Sequence, residues 1–146
     1  MAVADASYGT DKQQRRSISG AIYTVGGTIT GWLSKAQNHT TLSSSEAEYA
    51  ALASAGQELI FITNVIEKIE LSARPGIIFG DNESALALVK NRWVLARIKH
   101  IDIRHHYFFG MVQQYTPLIF IVSYGIPGRL SRYPRVALAT HHGTLV

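Results

Sequence analysis

The residues of this chain best suited to chemistry are carboxylates set far apart in sequence: Asp5, the pair Glu46 and Glu48, and Asp81. Asp5 follows the short extended run Val3-Ala4, and Asp81 follows Gly76-Ile77-Ile78-Phe79-Gly80. Each is therefore expected where a strand ends and a loop begins, a place where α/β folds gather functional groups. The glutamates belong to Ser43-Ser44-Ser45-Glu46-Ala47-Glu48-Tyr49-Ala50-Ala51-Leu52, a stretch that reads as a helix start. Hydroxyls precede it, acids occupy its first turn, and an apolar period follows. Ser43 with Glu46, or Ser45 with Glu48, each fit a capping box, in which the glutamate satisfies backbone donors and favours the helix dipole. On a helical wheel Tyr49, Leu52, Ala53, Gly56, Leu59, Ile60 and Thr63 form the buried stripe, with Glu46 and Glu48 on its opposite flanks. Periodicity thus does not say which glutamate caps and which is free for chemistry. His100, Asp102, His105 and His106 form a further group whose imidazoles and carboxylate are metal-ligand types.

The elements that must position these acids read as an α/β pattern. Ser19 to Val25 and Thr28 to Leu33, joined by Gly26-Gly27, predict a β-hairpin with a two-residue turn. Lys35 to Thr41 is a polar connection, and the helix is expected from about Ser45 to about Ile69. After the break at Arg74-Pro75-Gly76 comes a strand over Ile77 to Phe79, then Asp81, then a short helix over Ser84 to Lys90. Ile101, Phe108 and Val112 fit another helix over Lys99 to Gln113. Leu118 to Ser123 fits one more strand, beyond which Gly125-Ile126-Pro127-Gly128 and Tyr133-Pro134 interrupt regular structure. The first strand, with Asp5 arriving after four residues, is expected to be short.

Composition narrows the class. The chain has 146 residues, 47% of them apolar, enough for one domain with a real core. It has no cysteine, which excludes disulfides and thiolate metal sites. The longest uninterrupted apolar runs, Leu118 to Val122 among them, are far short of the ~20 residues of a membrane span, and Met1-Ala2-Val3-Ala4 does not fit a signal peptide. An intracellular location, cytoplasmic or nuclear, is the expectation, with no membrane partner. The net charge of +4 is uneven: residues 1–102 hold all ten acids and ten of the fourteen Lys and Arg, whereas residues 103–146 add Arg104, Arg129, Arg132 and Arg135 and no acid. Such a basic tail fits contact with nucleic acid or an ordinary solvated surface.

Taken together, Asp5-Ala6-Ser7, Ser45-Glu46-Ala47-Glu48-Tyr49 and Asp81-Asn82-Glu83-Ser84-Ala85 make the sequence resemble the ribonuclease H domain of Ty1/copia-type retrotransposon polyproteins. Arg15-Arg16-Ser17-Ile18-Ser19-Gly20, Trp32-Leu33-Ser34-Lys35-Ala36-Gln37 and Lys99-His100-Ile101-Asp102-Ile103-Arg104 extend the resemblance in the family's order, from about Val3 to Gln113. It implies an RNase H-like mixed sheet with flanking helices over residues 1–114 and a divergent, irregular segment over 115–146. It chooses Glu48 as the functional glutamate and leaves Glu46 as the cap. It assigns Asp5, Glu48 and Asp81 as catalytic metal ligands for two Mg²⁺ or Mn²⁺ ions. Ser7, Arg16, Lys35, Asn82, Lys99 and His100 become candidate substrate contacts, which leaves the histidine group without a separate metal site.

The implied activity is hydrolysis of the RNA strand of an RNA–DNA hybrid, in a domain ordinarily linked to reverse transcriptase and integrase. Two divalent ions held by clustered carboxylates activate water and stabilise the phosphoryl and leaving oxygens. The family supplies a fourth acid from a late helix, and no Asp or Glu follows Asp102 here. Impaired turnover is therefore expected; the alternative is a non-catalytic remnant that keeps the fold and an affinity for nucleic acid.

Overall fold

The computed structural model describes residues 1–11, 13, 15–69, 75–90, 110, 119–123 and 136–137. Strands β1 (Ala2–Ser7), β2 (Ile18–Val25) and β3 (Thr28–Ala36) lead into the long helix α1 (Ser44–Ile69). Then come β4 (Gly76–Gly80), the helix α2 (Glu83–Lys90), β5 (Ile119–Ser123) and β6 (Val136–Ala137). Among the described residues the strands form one mixed sheet of order β3-β2-β1-β4-β5-β6. β1, β2 and β3 pair antiparallel, β1–β4 and β4–β5 are parallel, and β5–β6 is antiparallel. The predicted α/β class is the one observed.

The hairpin forms because Gly26 and Gly27 take φ of 59° and 84°, the paired left-handed conformation of a tight turn that matches strand twist. Alternation then decides the faces of the sheet. Ala2, Ala4, Ala21 and Tyr23 point toward the core, while Val3, Ile22 and Trp32, aligned across three strands, lie on the opposite, exposed face. The core is built from those inward residues with Ile78 and Ile121, covered by Tyr49, Leu52, Ala53, Ala55 and Leu59 of α1 and by Ala85, Leu86 and Val89 of α2. Small residues set the distance between layers. A Cβ at Gly76 would lie 2.8 Å from Leu59 Cδ2, and one at Gly80 would lie 3.0 Å from Leu52 Cδ2. By length and composition α1 could cross a bilayer, but half of its most apolar window is buried inside the protein, which makes it the core helix of this sheet.

Three expectations change. Asp5 lies inside β1, opposite Gly20, because β1 has six residues and its pairing with β2 continues to Ser7↔Ile18. Lys35 belongs to β3, whose pairing runs on to Ile18↔Ala36; a polar edge strand resembles a loop in composition. Residues 115–146 add two strands to the sheet: β5, which was expected, and β6, which falls within the stretch read as irregular. The predicted helix over Lys99 to Gln113 and most of the tail lie outside the described residues.

Candidate active site

The start of α1 separates the two glutamates by their hydrogen bonds. Ser43 caps the helix, its Oγ accepting from the Glu46 N–H at 3.2 Å, and Glu46 Oε2 turns back to accept from the Leu42 N–H at 2.7 Å. That is a capping-box arrangement shifted one residue outward. Glu48 instead crosses to the sheet. The β1–β4 ladder stops at Val3↔Phe79, and beyond its end the Ala6 N–H donates to Glu48 Oε1 at 3.1 Å. Both glutamates are buried, so their hydrogen-bond partners distinguish them where burial does not.

Asp81, the first residue past β4, is exposed, and Asp5 is exposed on the neighbouring strand. One carboxylate oxygen from each of Asp5, Glu48 and Asp81 lies within 4.8 Å of the others. Sheet, helix and strand end thus each contribute one acid. Burial pushes the Glu48 carboxyl up to about 8; the Ala6 N–H opposes that shift, and the nearby charges of Asp5 and Asp81 add to it. Without a cation the group is mostly protonated at neutral pH and hydrogen-bonds to Asp5. The donor set is all carboxylate oxygen, which fits a hard divalent cation and is a poor match for one that prefers nitrogen or sulfur. Binding such an ion requires Glu48 to release its proton.

The other candidates are placed as follows. Ser7 ends β1, exposed, with its carbonyl accepting from Thr10 Oγ1 at 3.0 Å. Arg16 is half-buried in the loop before β2. Lys35 is exposed in the row Ala6–Ser19–Lys35, two strands and roughly 10 Å from β1. Asn82 caps α2, its Oδ1 accepting from the Ala85 N–H at 2.9 Å, so that oxygen is occupied structurally. Lys99 and His100 lie outside the described residues.

Two Pol polyproteins and one solved structure are similar to this chain. The chain is 34% identical over 119 residues to the retrovirus-related Pol polyprotein of transposon TNT 1-94 from Nicotiana tabacum, covering 82% of this chain and 9% of that protein. It is 34% identical over 113 residues to the Pol polyprotein of transposon RE1 from Arabidopsis thaliana, covering 77% and 8%. The structure matches the N-terminal RNase H domain of Rv2228c from Mycobacterium tuberculosis, solved as a fusion with maltose-binding protein. The TM-score is 0.52 with 16% identity, covering 86% of both chains. The chain belongs to the Ty1/copia-type retrotransposon Pol polyproteins, as their RNase H-like domain. It spans less than a tenth of the length of the Pol relatives, and the solved structure, at its low identity, speaks to the fold alone. No protein-family model matches the chain.

In this retrotransposon RNase H-like domain, the residues that sequence reasoning missed are those that hold Glu48. Ala6 supplies a backbone donor 42 positions away. Gln37, Ser19 and Ala47 form a buried set beside it. The trace of this in the sequence is that Ala6, Ser19, Gln37 and Ala47 all fall within the matched runs.

Proposed function

We propose that this domain is a divalent-metal-dependent ribonuclease acting on the RNA strand of RNA–DNA hybrids, with weakened turnover. The observation that carries the reading is the convergence of Asp5, Glu48 and Asp81 within 4.8 Å, from three elements of an RNase H-like fold. Asp5 and Asp81, both exposed, would hold Mg²⁺ or Mn²⁺ from the solvent side. Glu48 would complete the set from the buried side once it gives up its proton. Bound divalent ions supply an activated water and charge stabilisation on the phosphoryl oxygens. The chain's own part is to fix the carboxylates, and in Glu48 to hold a carboxyl that exchanges its proton for a cation.

Hybrid recognition would draw on Ser7 and the Asn82 amide near the acids, since a 2′-hydroxyl is what distinguishes an RNA strand. Lys35 and Arg16 would face backbone phosphates. Turnover is expected to be weak because residues 103–146 contain no Asp or Glu to act as a fourth acid; that absence also favours the second reading, a remnant that binds hybrid without cleaving it. A labelled hybrid incubated with the chain in Mg²⁺ or Mn²⁺ tests the proposal. Metal-dependent cleavage of the RNA strand, faster in Mn²⁺ and lost in Asp81→Asn, is the expected result. Binding without cleavage in either metal would select the second reading, and cleavage surviving Asp81→Asn would remove Asp81 from the site.

A further inference from the structure

The connection between β3 and α1 holds a buried polar network whose geometry centres on Glu48. Gln37, the residue after β3, is only 6% exposed. Its Nε2 donates to Ser19 Oγ at 2.9 Å and to the Ala47 carbonyl at 2.9 Å. A carbonyl can only accept, so the Ala47 contact fixes which way the amide faces. Its backbone N–H donates to the Ser17 carbonyl at 2.8 Å, while Oε1 is buried with no hydrogen-bond partner among the described residues. A methionine of the same shape would fill this space without burying an unsatisfied oxygen. A glutamine here is explained by its two donors.

Those donors close a ring. The Ala47 carbonyl belongs to the peptide unit that leads into Glu48. Ser19 stands opposite Ala6 in the β1–β2 ladder, and the Ala6 N–H holds the Glu48 carboxyl. Glu48 is thus gripped at its backbone by Gln37 and at its carboxyl by Ala6, with Ser19 joining the two grips through the sheet. The neighbouring pair Ser17 and Thr41, with hydroxyls 3.0 Å apart, is buried in the same connection. It ties Gly9 to Thr41 through Ser17 Oγ rather than to that peptide unit.

We propose that Gln37 is a positioning residue for the carboxylate cluster: by clamping the Ala47–Glu48 peptide onto β2 it sets where the Glu48 carboxyl meets Asp5 and Asp81. The proposal rests on the reading of those acids as a metal site, and its test has one readout that does not. In the 146-residue chain, Gln37→Met removes both donors at nearly constant shape, Gln37→Glu leaves at most one donor in the same shape, and Ser17→Ala perturbs the same connection while keeping both Gln37 donors and the Ser17 carbonyl. Amide hydrogen exchange is measured at Ala6 without metal, and the Mn²⁺ dissociation constant is measured on the same proteins. Each Gln37 variant that retains cooperative unfolding should exchange Ala6 at least about tenfold faster, with exchange at Ala21 unchanged, and bind Mn²⁺ at least about tenfold more weakly; Ser17→Ala should do neither.

Unchanged Ala6 protection in a folded Gln37 variant would overturn the proposal, as would Ser17→Ala reproducing both effects, since that would be general loosening. A parent chain that binds no Mn²⁺ would sink the metal-site reading instead, and Ala6 exchange would still decide whether Gln37 positions Glu48.

Discussion

The two halves of α1 are equally apolar in sequence and differ in what they touch. From Glu46 to Gly56 the helix is buried on nearly every side, and its residues there are mostly small: Ala47, Ala50, Ala51, Ala53, Ala55 and Gly56. Toward Ile69 the side chains grow, and Phe61, Val65 and Ile69, spaced four apart, are exposed at 63%, 39% and 77%. Small side chains let the first half lie close against the sheet, which holds Glu48 in a place dry enough to raise its pKa. Close packing there sets the surroundings of Glu48 as well as adding stability. In the second half the hydrophobic stripe turns partly to solvent, and apolar composition by itself produces no comparable order.

The largest expected effect falls at the acids held by the packed half. Asp81→Asn and Glu48→Gln should each lower hybrid cleavage by on the order of 10²-fold or more, the scale seen when one preorganised electrostatic group is removed. An end-point cleavage assay in Mn²⁺ checks this, and activity within a few-fold of the parent would contradict it. Next comes packing. Ala53→Leu, at a fully buried position in the core cluster, should cost about 1–3 kcal/mol by overpacking, whereas Phe61→Ser should stay within about 0.5 kcal/mol. Urea unfolding of the two variants compares them directly, and a larger loss for Phe61→Ser would invert the contrast drawn here.

A smaller effect follows from Glu48 itself. Its folded pKa is raised from 4.5 to about 8, so the protonated group's contribution to stability is full below about pH 4.5 and is lost progressively as pH rises to about 8. A glutamine keeps the carbonyl that accepts from Ala6 and a donor toward Asp5, and it never ionises. Glu48→Gln should therefore raise the melting temperature of the metal-free protein by a few degrees at pH 8 and leave it nearly unchanged at pH 4.5. An equal shift at both pH values would show that the carboxyl is not protonated by its surroundings.

Local signals carried much of this fold. Gly26-Gly27 announced the hairpin turn, the serine run with two candidate capping boxes announced the helix start, and Asp81 follows its strand as the pattern predicts. The resemblance to retrotransposon RNase H domains selected Glu48 over Glu46, a choice the helical wheel left open. Long-range pairing was not legible. Nothing in Val3-Ala4-Asp5-Ala6-Ser7 shows that the strand continues past Asp5, because β2 sets its length. Lys35 looked like loop because an edge strand needs few apolar residues. The division of labour between the glutamates depends on donors at Leu42 and Ala6, the second 42 residues away and unreachable by any local pattern. Asn82, read as a substrate contact, also proved to be a helix cap, a role that Asn commonly takes at such a position.

The central claim, that Asp5, Glu48 and Asp81 form a cation site in which Glu48 gives up a proton, is tested most directly by calorimetric titration with Mn²⁺ at pH 7. Two buffers of different ionisation enthalpy would be compared. The parent chain should release about one proton per Glu48 site filled, and Glu48→Gln should bind more weakly and release almost none. Binding with no proton release in the parent, or binding that Glu48→Gln leaves unaltered, would contradict the account.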